Sequence, residues 1–243
     1  MSLQITGVET QLLRVPLRQR AITDSQSRVE AVEFLQVVVQ TNEGITGHGM
    51  NWSYTPGLHA AQVMVDDCYK SALIGADPTF RRELVRKMFF TNHFVGRVGA
   101  SRVGIAAVEF ALWDIACKIA GVPLWRYLGI VPRPRQGLQH RRRLAHLSVE
   151  ELIADTTALV ARGFDAVKIK LGRPDPREDY ERVGAVRRVL GPKIRIMTDV
   201  NCAWSLPTAR IWGSKLSDFD VFWLEEPMVP EDVKSHAELQ RAI

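Results

Sequence analysis

Acidic residues are missing from one stretch of this 243-residue chain, and cysteine is scarce throughout it. The three cysteines, Cys68, Cys117 and Cys202, have no metal-ligand spacing. That excludes a cysteine-built metal site and fits a cytoplasmic protein with reduced thiols. No run approaches the roughly 18 apolar residues of a membrane span, so no membrane partner is expected. The N-terminus, Met1 to Thr6, lacks the basic and apolar blocks of a signal peptide. Gly96 to Gly104 is glycine-containing but lacks the strand–turn–helix context of a phosphate loop. The acid-free stretch is 132–146. It carries Arg133, Arg135, Arg141, Arg142 and Arg143, which together equal the whole net charge of +5. No aromatics interleave these arginines, and the rest of the chain is balanced, so no nucleic-acid partner is expected.

What is present is ordinary soluble protein, 46% hydrophobic and 24% charged. Residues 3–15 and 33–41 alternate as strands. A glycine turn at 42–44 leads to a short third strand from Ile45, giving an antiparallel meander. Residues 16–28 and 50–57 read as loops. Helical spacing then takes over: Ala61, Val65 and Tyr69 mark a helix over 58–73, and Asp77-Pro78 starts another. Residues 103–120 form the strongest helix, with Ile105, Val108, Leu112, Ile115 and Ile119 as its stripe. Glu109 and Asp114 sit within it and read as hydrogen-bonding groups.

From residue 148 the pattern changes. Ser148 and Glu151 make a capping box. Strands at 166–171, 194–200 and 221–225 alternate with helices at 148–162, 176–189 and 206–216, and another helix starts at Pro230. Such alternation marks parallel βα units.

Each of these strands ends in polar residues. Lys168 and Lys170 share a face, as do Asp199 and Asn201, because side chains alternate along a strand. On the third strand Val221, Trp223 and Glu225 share a face, which puts Glu226 on the other. Sites in parallel α/β folds lie at the carboxyl ends of strands. Asp199 and Glu225 are oxygen ligands suited to Mg²⁺. Such an ion can hold a carboxylate substrate while a proton α to it is removed. Lys170 is the candidate base. Lys168, a like charge beside it, is expected to lower its pKa and to touch the substrate carboxylate. Asn201 is assigned to substrate and Glu226 to a supporting place behind the lysines. Nothing near Cys202 would make it a nucleophile.

Lys168–Lys170, Asp199–Asn201 and Glu225–Pro227, in this order and spacing, resemble the barrel motifs of the mandelate racemase/muconate lactonizing enzyme family of the enolase superfamily. The resemblance implies an α+β capping domain over 1–129 and an α/β, (β/α) TIM-type barrel domain over 148–243. It implies Mg²⁺-assisted proton abstraction leading to racemisation, cycloisomerisation or loss of water. The small-molecule carboxylate substrate would lie under the 16–28 and 50–57 loops, with Trp52 and Tyr54 at the pocket mouth. A homo-oligomer is implied as well.

Two departures temper that expectation. A (β/α)₈ barrel takes roughly 200 residues or more, and residues 148–243 supply about three βα units. The family's third carboxylate belongs one strand beyond Glu225, past Ile243. The sheet is therefore expected to end in an apolar edge, an aggregation hazard. The second departure is 130–147, where the family has its first barrel strand and this chain has an irregular basic segment. That segment is read as the product of a local frameshift, which resequencing its codons would test; the competing reading is a basic, anion-binding loop. The alternative function is a catalytically silent fragment or binding protein of the same descent.

Overall fold

The computed structural model describes residues 2–17, 22–23, 28–130, 138–139 and 147–243. The chain divides into two compact units, Met1–Arg20 with Val29–Arg133, and Ala21–Arg28 with Pro134–Ile243.

The first unit is built on an antiparallel sheet in the order β1 (Ile5–Pro16), β4 (Ala31–Thr41), β5 (Thr46–Ser53). Alternation in β4 buries Leu35, Val37 and Val39 against the helices. The turn between β4 and β5 uses Gly44 at φ 76°, a left-handed conformation that glycine adopts without cost. The expected helix over 58–73 runs as α1 (Leu58–Val63), a π-helical turn (Met64–Tyr69) and α2 (Lys70–Leu73). Ala61, Val65 and Tyr69 are buried in it, as their spacing predicts. Next come α3 (Arg81–Thr91) and α4 (Ala100–Ala120), with the short helix α5 (Leu124–Tyr127) after it.

α4 lies against β5 at very close range. A Cβ on Gly47 would stand 2.2 Å from the Ala111 carbonyl oxygen, and one on Gly49 would stand 1.9 Å from that of Ala107. Only residues without a side chain allow this approach. α4 also closes the outer edge of β5. Asp114 accepts from the His48 backbone N–H (2.8 Å), and Lys118 Nζ donates to the Thr46 carbonyl (2.6 Å). Asp114 is thus a hydrogen-bonding group, as its place in an apolar helix suggests.

The segment read as a loop over 16–28 holds two short strands, β2 (Ile22–Thr23) and β3 (Arg28–Val29), paired as a two-stranded sheet. Two residues per strand are too few for an alternation to show in the sequence.

The second unit holds a parallel sheet in the order β6 (Leu138–Gln139), β7 (Ala166–Lys170), β8 (Arg195–Asp199), β9 (Val221–Glu225). Helices α6 (Val149–Ala161), α7 (Pro176–Leu190), α8 (Leu206–Leu216) and α9 (Val233–Ala242) alternate with the strands. Ser148 and Glu151 form the expected capping box on α6. β6 corrects the reading of 130–147 as strandless: Leu138 and Gln139 pair with Ala166 and Val167. The other residues of 131–146, and with them the frameshift reading, lie outside the described residues. β7 is buried throughout, as a central parallel strand should be. β9 is the outer strand of the described sheet, and its Phe222 is 56% exposed.

β9 also departs from strict alternation. Ile196 pairs with Val221 and Met197 with Trp223, so Phe222 is an extra residue, a bulge. Val221 therefore leaves the row it was expected to share, while Trp223 and Glu225 remain two apart beyond the bulge.

Candidate active site

Register builds the site. Lys170 stands opposite Asp199 across β7 and β8, and Asp199 stands opposite Glu225 across β8 and β9. Residues up to 57 positions apart in the chain are thereby brought into hydrogen-bond contact. Lys168 Nζ donates to Glu225 Oε1 (2.8 Å) and Oε2 (2.9 Å) and lies 3.0 Å from Asp199 Oδ2. Lys170 Nζ donates to Asp199 Oδ2 (2.5 Å) and Asn201 Oδ1 (2.6 Å). Both lysines and Asp199 are buried, whereas the Glu225 side chain is 36% exposed.

The charges of the cluster act on one another. Burial pulls the Lys168 pKa down, but its bonds to Glu225 and Asp199 outweigh burial and hold it above the ordinary lysine range. Lys168 gains more from the carboxylates of the facing strands than it loses to burial. Burial pushes the Asp199 carboxyl up, yet the two ammonium groups hold it below the ordinary carboxylate range. The Cys202 thiol is pushed up by burial and by the charges of Glu226, Glu231 and Asp199, which leaves it poorly suited as a nucleophile.

Beyond the strand ends the backbone turns left-handed at three non-glycine residues, Asn201 (φ 51°), Cys202 (φ 61°) and Glu226 (φ 45°). Each such residue costs on the order of 1–3 kcal/mol, and such residues cluster at functional sites. The cost is offset by a ladder that continues past β8 and β9. Val200, Cys202 and Trp204 donate their N–H groups to the carbonyls of Glu225, Glu226 and Pro227 (3.0, 2.7 and 3.0 Å). The left-handed turn at Glu226 ends the strand alternation, so Glu226 does not simply face away. Its Oε2 accepts from Asn201 Nδ2 (3.0 Å). Glu226 therefore reaches Lys170 through one amide, Asn201.

Trp52 and Tyr54 belong to the first unit, where their rings pack edge to face with centroids 4.8 Å apart. An apolar cavity of about 820 Å³ also lies in the first unit, lined by Met50, Phe110, Trp113, Val122 and Leu124 among others. His48 also lines it, but its Asp114 and Lys118 are spent on the edge of β5, and its lining holds no second carboxylate.

Two residues escaped the sequence reading. Asp179 and Arg182 on α7 are 1% and 2% exposed. Asp179 Oδ2 accepts from the N–H groups of Gly172 (2.7 Å) and Arg173 (2.9 Å). Arg182 Nη1 donates to Asp179 Oδ1 (2.9 Å) and to the Lys170 carbonyl (3.1 Å). Their signal was available: with Val183 and Val186 they occupy i, i+3, i+4 and i+7, so two charges stand in an apolar stripe.

The donor chemistry of the cluster fits a hard divalent cation, since Asp199 and Glu225 offer carboxylate oxygens on neighbouring strands. Mg²⁺ commonly binds through one or two carboxylates and keeps several waters. Among the described residues no group of three His, Cys, Asp or Glu side chains could hold a metal ion. None of the described helices is long and apolar enough to cross a membrane.

Comparison with known proteins agrees with this layout. Residues 7–129 match the mandelate racemase / muconate lactonizing enzyme N-terminal domain, and residues 151–243 match the enolase C-terminal domain-like family. The fold is thus that of the enolase superfamily, a capping domain followed by a barrel-type domain. Within it, the chain belongs to the mandelate racemase/muconate lactonizing enzyme family. It is 33% identical over 98% of its length to 3,6-anhydro-alpha-L-galactonate cycloisomerase of Streptomyces coelicolor, and covers 65% of that relative. The crystal structure of a racemase from Streptomyces coelicolor with bound magnesium matches with a TM-score of 0.91 and 34% identity, over 98% of this chain and 66% of that one. L-talarate dehydratase from Polaromonas, solved with Mg and L-glucarate, matches with a TM-score of 0.90 and 30% identity, over 99% of this chain and 65% of that one. The chain thus spans about two thirds of the length of these relatives.

Proposed function

We propose that the second unit is a Mg²⁺-dependent site for abstracting a proton α to a carboxylate, as in a racemase, epimerase, cycloisomerase or acid-sugar dehydratase. The observation that carries this reading is the row Lys170, Asp199, Glu225 at the carboxyl ends of adjacent parallel strands. The named relatives, a cycloisomerase, a racemase and a dehydratase, support it. Asp199 and Glu225 would hold the ion. When bound, the ion supplies positive charge beside the substrate carboxylate. Lys170 takes the α proton at Nζ, which the Asn201 side chain holds in place. Lys168 faces the substrate carboxylate, and Glu226 fixes the Asn201 amide. The domains assigned to these roles are 1–129 as the cap and 148–243 as about three βα units of barrel.

A second reading, a carboxylate-binding protein without turnover, has one observation in its favour. Both ammonium groups are already bonded to carboxylates or to an amide. Proton NMR in D₂O with Mg²⁺, across acid sugars, N-acyl amino acids and dipeptides, separates the two. Loss of an α-proton signal with wild type and none with Lys170→Met is expected. Exchange that survives Lys170→Met overturns the base assignment, and calorimetric binding without exchange selects the second reading.

A further inference from the structure

Lys170 must be held accurately if it is to act as a base, because small misplacements of a reacting group are costly. Its side chain is anchored on Asp199 and Asn201, but what fixes its backbone is less obvious. β7 ends at Lys170, and the chain leaves the strand through Leu171, Gly172 and Arg173. Four backbone groups there are captured. The Lys170 carbonyl accepts from Arg182, and the Leu171 N–H donates to the Asp199 carbonyl (2.8 Å). The Gly172 and Arg173 N–H groups share one oxygen of Asp179. Gly172 turns left-handed at φ 98° between them.

We propose that the buried Asp179–Arg182 pair is a positioning device for Lys170, gripping the backbone at its carbonyl and at the two amides beyond Leu171. A guanidinium is suited to this task. One terminal nitrogen of it, Nη1, serves a carboxylate and a carbonyl together, held in a plane that an ammonium on a flexible stem does not fix. The carboxylate in turn collects two N–H groups, so the turn after β7 is tied to the first turns of α7 rather than left to solvent. A pair that served only to hold the core together would have no need to bond the carbonyl of the base itself. Asp179 and Arg182 touch no substrate in this scheme; they act through Lys170.

The importance of the grip rests on the reading of Lys170 as the base, but its test needs neither substrate nor Mg²⁺, so the two readings fail separately. The variant to use is Asp179→Asn combined with Arg182→Met, which removes both buried charges and so avoids stranding one of them. Two signals are read by NMR on the full chain: amide hydrogen exchange at 171–173, and the exchange-slowed ammonium resonances of Lys168 and Lys170. In the double variant, Gly172 and Arg173 amides and the Lys170 ammonium should exchange about tenfold or more faster, with the Lys168 ammonium and the β8 amides unchanged. Unchanged Lys170 exchange in the folded double variant overturns the proposal. Equal loosening of both lysines and the whole sheet overturns it too, because that is what loss of a merely structural pair produces. Should the double variant not fold, Arg182→Lys keeps the charge and removes the planar guanidinium. Selective loss of the Lys170 signal then supports the grip, and an unchanged Lys170 signal overturns it.

Discussion

The second unit buries charge in two places that are wired differently. Asp179 and Arg182 spend their bonds largely on backbone: two N–H groups and one carbonyl, besides each other. The strand-end cluster bonds mainly side chain to side chain, lysine to carboxylate and lysine to amide, with one backbone donor, the Asn201 N–H, on Asp199 Oδ1. The first pair is closed, with both members at most 2% exposed, and the second is open at Glu225, 36% exposed. Backbone partners cannot leave without unravelling a turn. Side-chain partners can be exchanged for an ion or a substrate at the cost of a rotamer. Buried charge therefore marks a site only when its partners are replaceable, and burial alone does not tell the two apart.

The hardest test of the contrast is to break the closed pair from one side. Arg182→Met should strand Asp179 and cost about 3–5 kcal/mol of stability in urea denaturation. The neutral double variant should recover most of that loss. Equal losses in the two would mean that the pair is not closed in the sense argued.

Opening the other cluster should cost less. Asp199→Asn removes the carboxylate that serves both lysines, but Lys168 keeps Glu225, so a loss of about 2–3 kcal/mol is expected by the same measurement. A loss as large as that of Arg182→Met would erase the distinction.

Exchangeability itself can be read by titration with Mg²⁺. Two carboxylates make a weak site, and at an ion concentration tenfold above a millimolar Kd the folded state gains about 1.4 kcal/mol, seen as a rise in Tm. Asp199→Asn should abolish the rise, and the Asp179/Arg182 double variant should retain it. A rise that survives Asp199→Asn would place the ion elsewhere.

The smallest expected effect is in pH. The Asp199 carboxyl sits below its ordinary value of 3.8, so its contribution is present above that value and is lost as pH falls through its folded-state pKa. Burial pushes the Asp179 carboxyl above 3.8 despite its N–H and guanidinium partners. Its contribution has the opposite sign: greatest below 3.8, and lost as pH rises through the folded-state pKa. Asp199→Asn should flatten the acid limb of the stability curve below about pH 4, and Asp179→Asn should change the slope above it. Identical pH profiles for the two variants would count against the assignments.

The sequence carried much of the site. Lys168–Lys170, Asp199–Asn201 and Glu225–Glu226 end three strands whose helical spacers are regular, and parallel register does the rest. What it did not show is local. One extra residue, Phe222, shifts β9 against β8, and a bulge leaves no composition mark. The left-handed turn that brings Glu226 to Asn201 depends on a backbone ladder between loops 25 residues apart, which no strand period encodes. The raised pKa of Lys168 depends on which carboxylates face it across the sheet. Asp179 and Arg182 were legible as charges in an apolar stripe, but their backbone partners were not. β6 is two residues long in a basic segment, too short for alternation to register.

The contact between α4 and β5 has a consequence at the level of the gene. Gly47 and Gly49 stand where a single added carbon would run into the carbonyls of Ala111 and Ala107. Every missense change of a glycine codon adds at least that carbon. Neither codon therefore has a conservative neighbour to drift to. In a scan of all single substitutions these two positions should tolerate as little as the lysines of the site, for reasons of space and not of chemistry.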